Sequence, residues 1–467
     1  MIEVFSLHTP VRVHVIAVGG AAMGPIATIL HACGHTVSGS DQSESAMLDT
    51  LRTLGVTVRV GHRAEYVAGV DVVIHSAAVK PGNVELDAAL EQGIPCFSRA
   101  DAMEVICAGK RVIAVSGAHG KTTTAAMLAT LMVDAGEDPS FLVGSTVARF
   151  GGGVHWTDSS DWFVLEADES DGSFLRVNAE AVIVTNADPD HLDFWGTEEA
   201  LMEAYRRFID GAAISVVCVE NPNSAELAAS RSGNHMHTYG WHPNGDWKIE
   251  DLVRERLGSR FSVIGPDGSS TAVVINVPGD HNALNATAAF VVLRRLGIEA
   301  SVLARSMATF GGVSRRFEFR GKANGVTFVD DYAHLPAEVA TNVASAARAN
   351  WSRVIAIFQP HRYTRVRDVG REFGSSFAGA DVVIICGLYA AGQEPIEGIS
   401  GRTVFDAVSE ARPGGEQYYC DTRAELADLV PRLVRDGDLV LTMNAGDLTT
   451  FPDEMLASAW ATVKPDA

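Results

Sequence analysis

Six cysteines, at positions 33, 96, 107, 218, 386 and 420, are too few and too scattered to staple a chain of 467 residues. None forms a Cys-x-x-Cys pair, so neither a thiolate metal knuckle nor a redox motif is present, and reduced, mostly buried thiols are expected. Basic residues are also in short supply: 37 Lys and Arg face 58 Asp and Glu, a formal charge of −21. A field of that sign repels phosphodiesters and anionic lipid, which argues against nucleic acid or a membrane surface as partner. An anionic nucleotide would have to meet a local basic pocket. No apolar run approaches the roughly eighteen residues of a membrane helix. Residues Met1 to Pro10 lack the basic start, apolar core and cleavage site of an export signal, so a cytoplasmic protein is expected. Fixed-period repeats and low-complexity linkers are missing as well.

What the chain does have is apolar content, 47% of its residues, and a length that suggests about three domains. Short β-branched runs alternate with amphipathic stretches: 11–18, 70–77, 111–116, 162–167, 181–186 and 214–219, then 326–330, 353–359, 381–387 and 438–443. Continuous apolarity marks strands buried on both faces, hence parallel sheets covered by helices. Pro266-Asp267-Gly268, flanked by runs at 260–265 and 271–277, breaks the rhythm with a hairpin signal. The expected fold is α/β in three domains. Residues 1–105 form a Rossmann-like parallel sheet, 106–313 a central P-loop ATPase-like domain with a small antiparallel patch, and 314–467 a second Rossmann-like domain.

The densest chemical signal is Ser116-Gly117-Ala118-His119-Gly120-Lys121-Thr122-Thr123-Thr124, placed between a strand and a helix-like stretch. Glycines let backbone N–H groups approach phosphate oxygens, and the helix N-terminus adds positive potential. Lys121 can reach the outer phosphates and Thr122 can hold magnesium. Val115 stands where the general nucleotide loop has its first glycine, so only a Gly-x-x-Gly-Lys-Thr core is present.

Carboxylates gather at the next two strand ends, in Glu166-Ala167-Asp168-Glu169-Ser170-Asp171 and in Asp188-Pro189-Asp190-His191-Leu192-Asp193. Such clusters are costly without a cation, and oxygen ligands suit magnesium; a solvated acidic turn is the plainer alternative. Both should overhang the rim that carries Lys121, because doubly wound sheets bind ligands outside the carboxyl ends of their strands. Earlier, Gly19-Gly20-Ala21-Ala22-Met23-Gly24-Pro25 follows the first strand and Ser38-Gly39-Ser40-Asp41 ends the second. That order is similar to a dinucleotide-binding unit in which Asp41 meets ribose hydroxyls. Ala17 and Ala22 occupy candidate glycine positions, which leaves a purely structural turn open, while Pro25 suits the first turn of a helix.

In Gly279-Asp280-His281-Asn282-Ala283-Leu284-Asn285 an asparagine can cap the helix or bond an adenine edge; capping explains Asn282 well and Asn285, one turn in, less well. Ser314-Arg315-Arg316-Phe317-Glu318 offers an arginine for a γ-phosphate or, equally, a surface ion pair. Asp330-Asp331-Tyr332-Ala333-His334 and His361-Arg362-Tyr363-Thr364-Arg365 each end a strand, and Arg362 with Arg365 can grip a carboxylate. His235, His237 and His242 lack a cysteine or acid at ligand spacing and read as surface histidines.

Taken in order, these motifs resemble the Mur ligase family over essentially the whole chain, and its alanine-adding branch in particular, through His361-Arg-Tyr-Thr-Arg365 and Tyr389-Ala-Ala-Gly-Gln-Glu-Pro-Ile396. The resemblance implies ATP-driven amide formation: L-alanine is joined to the carboxylate of UDP-N-acetylmuramate through an acyl phosphate. A sister activity, adding a preformed peptide to the same sugar nucleotide, is the alternative. Implied cofactors are ATP and two magnesium ions, in a monomer or homodimer. Carried over by residue, Gly117, His119, Gly120, Lys121, Thr122, Thr123, Asn285, Arg316 and Asp331 would bind ATP. Thr122, Glu166 and His191 would hold metal. Gly19, Gly20, Asp41, His62 and Ser76 would bind the UDP portion, and His334, Arg362 and Arg365 the alanine and acyl groups. Catalysis would fall to Lys121, Glu166, His191, Arg316 and His334. The chain departs from the family's habits at Ala17, Ala22, Pro25, Leu335 and Asn444, and residues 193–219 contain no lysine for carbamylation.

Overall fold

The structure, a computed structural model, describes residues 5–76, 78–230 and 235–458. Each expected strand is found with its ends within two residues of the reading above, except that Ala77, the last residue of one, lies outside the described residues, as do Met1 to Val4 of the N-terminal stretch. Three sheets organise the chain. The first is all parallel, in the order Thr57–Val60, Thr36–Asp41, Arg12–Ile16, Val72–His75, Cys96–Ser98. The order in which strands are added reverses between Arg12–Ile16 and Val72–His75, the switch point at which such sheets open a crevice at their strands' carboxyl ends.

In the ten-stranded second sheet, Arg111–Ser116 lies between Trp162–Glu166 and Ala179–Val184, parallel to both. One edge is the antiparallel pair Ser140–Val147 and Gly152–His155. Toward the other lie Gly258–Ile264 and Ser270–Ile275, which bracket the expected Pro266-Asp267-Gly268 turn. The helix Lys121–Asp134 is buried from Thr122 to Met132. Its small residues, Ala125, Ala126 and Ala129, let it lie close to its surroundings, so the residues at its start are held rigidly. The third sheet runs Glu318–Ala323, Val326–Asp331, Leu439–Asn444, Val354–Gln359, Val382–Cys386, Glu416–Cys420, and only its first pair is antiparallel.

By internal contacts the chain forms two compact units. One comprises the residues up to Glu250 with Ser262–Val273 and Leu284–Ala308; the other comprises Asp251–Phe261, Val274–Ala283 and the residues from Thr309 onward. The six thiols are free. Among the described residues no helix is long and apolar enough to cross a membrane.

One local expectation is corrected. Asn282 is not a helix cap, since its helix already begins at Asp280, and its side-chain amide donates to the Pro278 carbonyl at 2.6 Å. Pro25 does sit in the first turn of Met23–Ala32. Ala17 adopts φ 64°, a left-handed conformation that glycine takes up without steric cost.

Candidate active site

The turn at Gly117–Gly120 is shaped by what surrounds it. Gly117 has φ 130°, and a Cβ there would stand 2.3 Å from Thr185 Oγ1 and 2.8 Å from the Asn186 carbonyl oxygen. At Gly120, with φ 86°, a Cβ would stand 2.6 Å from Asn285 Oδ1. Glycine is therefore required at both positions. His119, itself exposed, is tied down through its backbone: its N–H donates to Asn186 Oδ1 at 3.2 Å, and its carbonyl accepts from Asn186 Nδ2 at 2.8 Å and from Thr185 Oγ1 at 2.6 Å. Thr185 and Asn186, which no motif singled out, are thus the clamp on this turn.

Lys121 and Thr122 then project among the acidic strand ends. Lys121 Nζ donates to both oxygens of Glu169 at 3.0 Å and to the Gly117 carbonyl at 2.7 Å. Thr122 Oγ1 donates to Glu166 Oε1 at 2.9 Å, and Glu166 Oε2 accepts the Gly144 N–H at 2.6 Å. Thr123 is buried in the same helix turn. Burial pushes the Glu169 carboxyl above its ordinary pKa, and Lys121 pulls the other way.

His191, at φ 53°, opens the short helix Leu192–Trp195. Its ring groups with Asp168 and Glu169, the three offering ligand atoms within 4.8 Å of one another. The expected metal set of Thr122, Glu166 and His191 therefore falls into two parts: Thr122 with Glu166, and His191 with Asp168 and Glu169. Three carboxylates and a hydroxyl make an oxygen-rich donor set that fits magnesium, with one imidazole nitrogen.

At the first sheet, the Gly19 N–H donates to Asp41 Oδ2 at 2.9 Å, and the Gly19 carbonyl accepts from Ser45 Oγ at 3.2 Å. Gly20 is exposed and its N–H returns to the Ala17 carbonyl at 3.3 Å. His62 lies at the same strand ends, with Nδ1 facing Ser40 Oγ at 3.2 Å. Ser76 Oγ accepts the Ala78 N–H at 3.2 Å.

The second unit carries its own constellation. Asp331, at the end of Val326–Asp331, is buried; one oxygen accepts the Phe317 N–H at 2.6 Å and the other the Ala333 N–H at 2.7 Å. Burial raises its pKa to about 6 against the opposing pull of Arg316. Arg316 lies over the Tyr332 ring, 5.7 Å from its centroid, as Arg315 does at 4.7 Å. Asn444 is bonded into this turn: its Oδ1 accepts from Arg315 Nη2 at 3.0 Å and its Nδ2 donates to buried Asp330 at 3.1 Å.

His334 Nδ1 faces the Tyr332 carbonyl at 2.9 Å. A carbonyl only accepts, so Nδ1 carries the proton and Nε2 is left with its lone pair. Burial holds this histidine below its ordinary pKa. His361 is 6.2 Å from it, ring to ring, and stacks on Tyr389 at 5.8 Å. Arg365 Nη1 donates to His361 Nδ1 at 3.0 Å, and burial together with Arg365 lowers the His361 pKa to about 4. Arg362, also expected here, is exposed and has φ 67° at the start of Tyr363–Val369. His361, Tyr389 and Glu338, whose carboxylate accepts the His334 N–H at 2.9 Å, are the members that the site reading passed over.

Three domain families match in succession: the catalytic domain of the Mur ligase family over residues 12–111, the Mur ligase middle domain over 115–293, and the Mur ligase glutamate ligase domain over 315–446. The chain belongs to the Mur ligase family. This Mur ligase is 40% identical over 458 residues to the UDP-N-acetylmuramate–L-alanine ligase of a Bradyrhizobium strain, BTAi1, with 95% of this chain and 98% of that protein covered. It is 39% identical over 450 residues to the protein of that name from Anaeromyxobacter, with 96% and 97% covered. Its fold is similar to the crystal structure of the UDP-N-acetylmuramate-alanine ligase MurC from Thermotoga maritima, with a TM-score of 0.82 at 26% identity over 96% of this chain and 98% of that one. A murein peptide ligase from Psychrobacter arcticus shares the fold at a TM-score of 0.65 and 22% identity, covering 98% and 100%.

Proposed function

We propose that this Mur ligase joins L-alanine to the lactyl carboxylate of UDP-N-acetylmuramate, with ATP consumed to ADP and phosphate. The observation that carries the reading is the glycine turn that sets Lys121 and Thr122 against Glu166 and Glu169, a cation and a hydroxyl among carboxylates at the start of a buried helix. A carboxylate is a poor acyl donor until one of its oxygens becomes part of a leaving group, and ATP supplies that group. The substrate carboxylate attacks the γ-phosphorus, ADP departs, and an acyl phosphate forms. The alanine amine then attacks the acyl carbon and inorganic phosphate leaves.

Residues 1–105 are assigned to the sugar nucleotide, with Gly19, Gly20, Asp41, His62 and Ser76 as its contacts. Residues 106–313 are assigned to ATP, through Gly117, His119, Gly120, Lys121, Thr122, Thr123 and Asn285. Residues 314–467 receive the amino acid at His334, Arg362 and Arg365, with Arg316 given the γ-phosphate and Asp331 the ribose. Thr122 with Glu166, and His191 with Asp168 and Glu169, would hold magnesium, which supplies charge screening between the two reacting anions. Lys121 adds a fixed positive charge beside the triphosphate. His334, neutral and with Nε2 free of its proton, can take a proton from the alanine ammonium as it becomes a nucleophile. The cytoplasm, where ATP is abundant and thiols stay reduced, is the compartment this chemistry requires.

The test offers UDP-N-acetylmuramate, ATP, magnesium and a mixture of amino acids, and reads products by mass. A single new species heavier by one alanine residue, with stoichiometric ADP, is expected. A product formed only when a preformed peptide is supplied, or no ADP in any mixture, overturns the assignment.

A further inference from the structure

Beneath the first sheet's rim lies a carboxylate that no motif identified. Asn83 caps the helix Val84–Glu91 by accepting from the Glu85 and Leu86 N–H groups, and this turns the Glu85 side chain inward, where it is fully buried. Its Oε2 accepts from Ser40 Oγ at 2.5 Å and lies 3.4 Å from His14 Nε2 and 3.3 Å from His62 Nδ1; its Oε1 accepts the Arg63 N–H at 3.1 Å. Burial alone would raise this carboxyl's pKa, yet the hydrogen bonds from His14 and Ser40 leave it below its ordinary value. Glu85 is therefore an acceptor only.

The protons can be assigned in order. His14 is fully buried, and its other nitrogen meets Ser38 Oγ at 2.9 Å. The Ser40 hydroxyl spends its one proton on Glu85, so toward His62 it can only accept. Both atoms facing His62 Nδ1 are thus acceptors, and Nδ1 must carry hydrogen. His62 is the one ring of the group with access to solvent, its side chain 16% exposed, and the nitrogen away from Glu85 is Nε2. It sits where the sugar nucleotide is expected: Ser40 precedes Asp41, whose carboxylate holds the Gly19 N–H at 2.9 Å and whose carbonyl accepts the Gly61 N–H at 2.7 Å.

We propose that Glu85 is a positioning residue for the sugar nucleotide, fixing His62 with Nδ1–H inward so that Nε2 is presented as an acceptor to a hydroxyl or imide N–H of the uridine portion. This deepens the reading of His62 as a substrate contact and rests on it. A glutamine at 85 would offer an amide donor to Nδ1 and so reverse the tautomer, which makes the idea measurable in the full-length protein.

The experiment compares wild type, Glu85→Gln, His62→Ala and the double variant by steady-state kinetics, and reads the His62 tautomer by nitrogen-15 NMR. Glu85→Gln and His62→Ala should each raise KM for UDP-N-acetylmuramate about tenfold, the size of one oriented hydrogen bond, with KM for ATP and alanine moving by less than about twofold. The double variant should match His62→Ala alone, and Glu85→Gln should lose the Nδ1–H tautomer. If Glu85→Gln is insoluble, the wild-type spectrum takes its place: His62 with its hydrogen on Nδ1 is expected, and hydrogen on Nε2 alone overturns the proposal. Additive KM effects in the double variant, or equal rises for all three substrates, overturn the proposal while leaving His62 as a contact. An unchanged KM in His62→Ala overturns it through its premise.

Discussion

Lys121 Nζ stands 3.0 Å from both carboxylate oxygens of Glu169, and Glu169 is fully buried. The lysine therefore compensates a carboxylate that water does not reach. Lys121→Met is expected to abolish ligation and also to cost on the order of 3 kcal/mol, because it leaves that carboxylate unpaired. Lys121→Met with Glu169→Gln should recover most of the stability and none of the turnover. Urea denaturation alongside an ADP-release assay separates the two effects; a double variant as unstable as the single one would show that the pair has no structural share.

The conformation of the glycine turn gives a second expectation. Gly117→Ala puts a methyl into Thr185 Oγ1 at a left-handed φ, whereas Gly93→Ala meets nothing within 4 Å at φ 70°. Both carry the backbone penalty of about 1 kcal/mol, but only the first also displaces the turn. ATP affinity by calorimetry should collapse in Gly117→Ala and stay near wild type in Gly93→Ala. Equal affinities in the two would show that the clamp by Thr185 and Asn186 does not hold the nucleotide loop in shape.

For His334, burial lowers the pKa below the ordinary histidine value. A base is active when deprotonated, so kcat/KM for alanine should fall on the acid side along a limb centred below about pH 6.5. His334→Ala should remove that limb and lower kcat by roughly 100-fold. Should the variant keep both its turnover and its alanine KM, the proposed proton transfer is wrong.

Asp331 supplies a stability measurement. Its carboxyl is raised from 3.8 to about 6 by burial, so the fold favours the protonated form. Its contribution is fully present below the unfolded value and is lost as pH rises through the folded one. Relative to Asp331→Asn, which does not titrate, wild type should lose roughly 2–3 kcal/mol between pH 4 and pH 7. A stability difference that does not change with pH would refute the raised value.

The strands that sequence made visible are those covered on both faces. Arg111–Ser116 and Val382–Cys386 are buried almost throughout, and their apolarity is continuous. Five of the six sheet-edge strands, Thr57–Val60, Cys96–Ser98, Gly152–His155, Glu318–Ala323 and Glu416–Cys420, were not anticipated. An edge strand is half solvated, and Glu416-Gln417-Tyr418-Tyr419-Cys420 has no reason to be continuously apolar. The candidate site divides in a similar way. Lys121 and Thr122 were legible because their chemistry is local, one glycine turn read along the chain. Glu169 was legible as one of an acidic cluster, but its pairing with Lys121, and the part played by Thr185, were not, since each joins residues 48 or more positions apart. Glu85 was hidden for a third reason: it looks like any acidic residue in the first turn of a helix, and only the fold reveals that it points inward to His14 and His62.

The alanine at position 17 carries its own implication. A methyl group forced into φ 64° sits in a region that L-residues disfavour by about 1 kcal/mol, and neighbours must hold it there. A glycine in that place would leave the loop free to wander and would have to be ordered when a ligand arrived. Here the ordering is completed when the chain folds, so under the proposed function the first loop would meet the sugar nucleotide already set, giving up a little global stability in exchange for a smaller entropy loss on association.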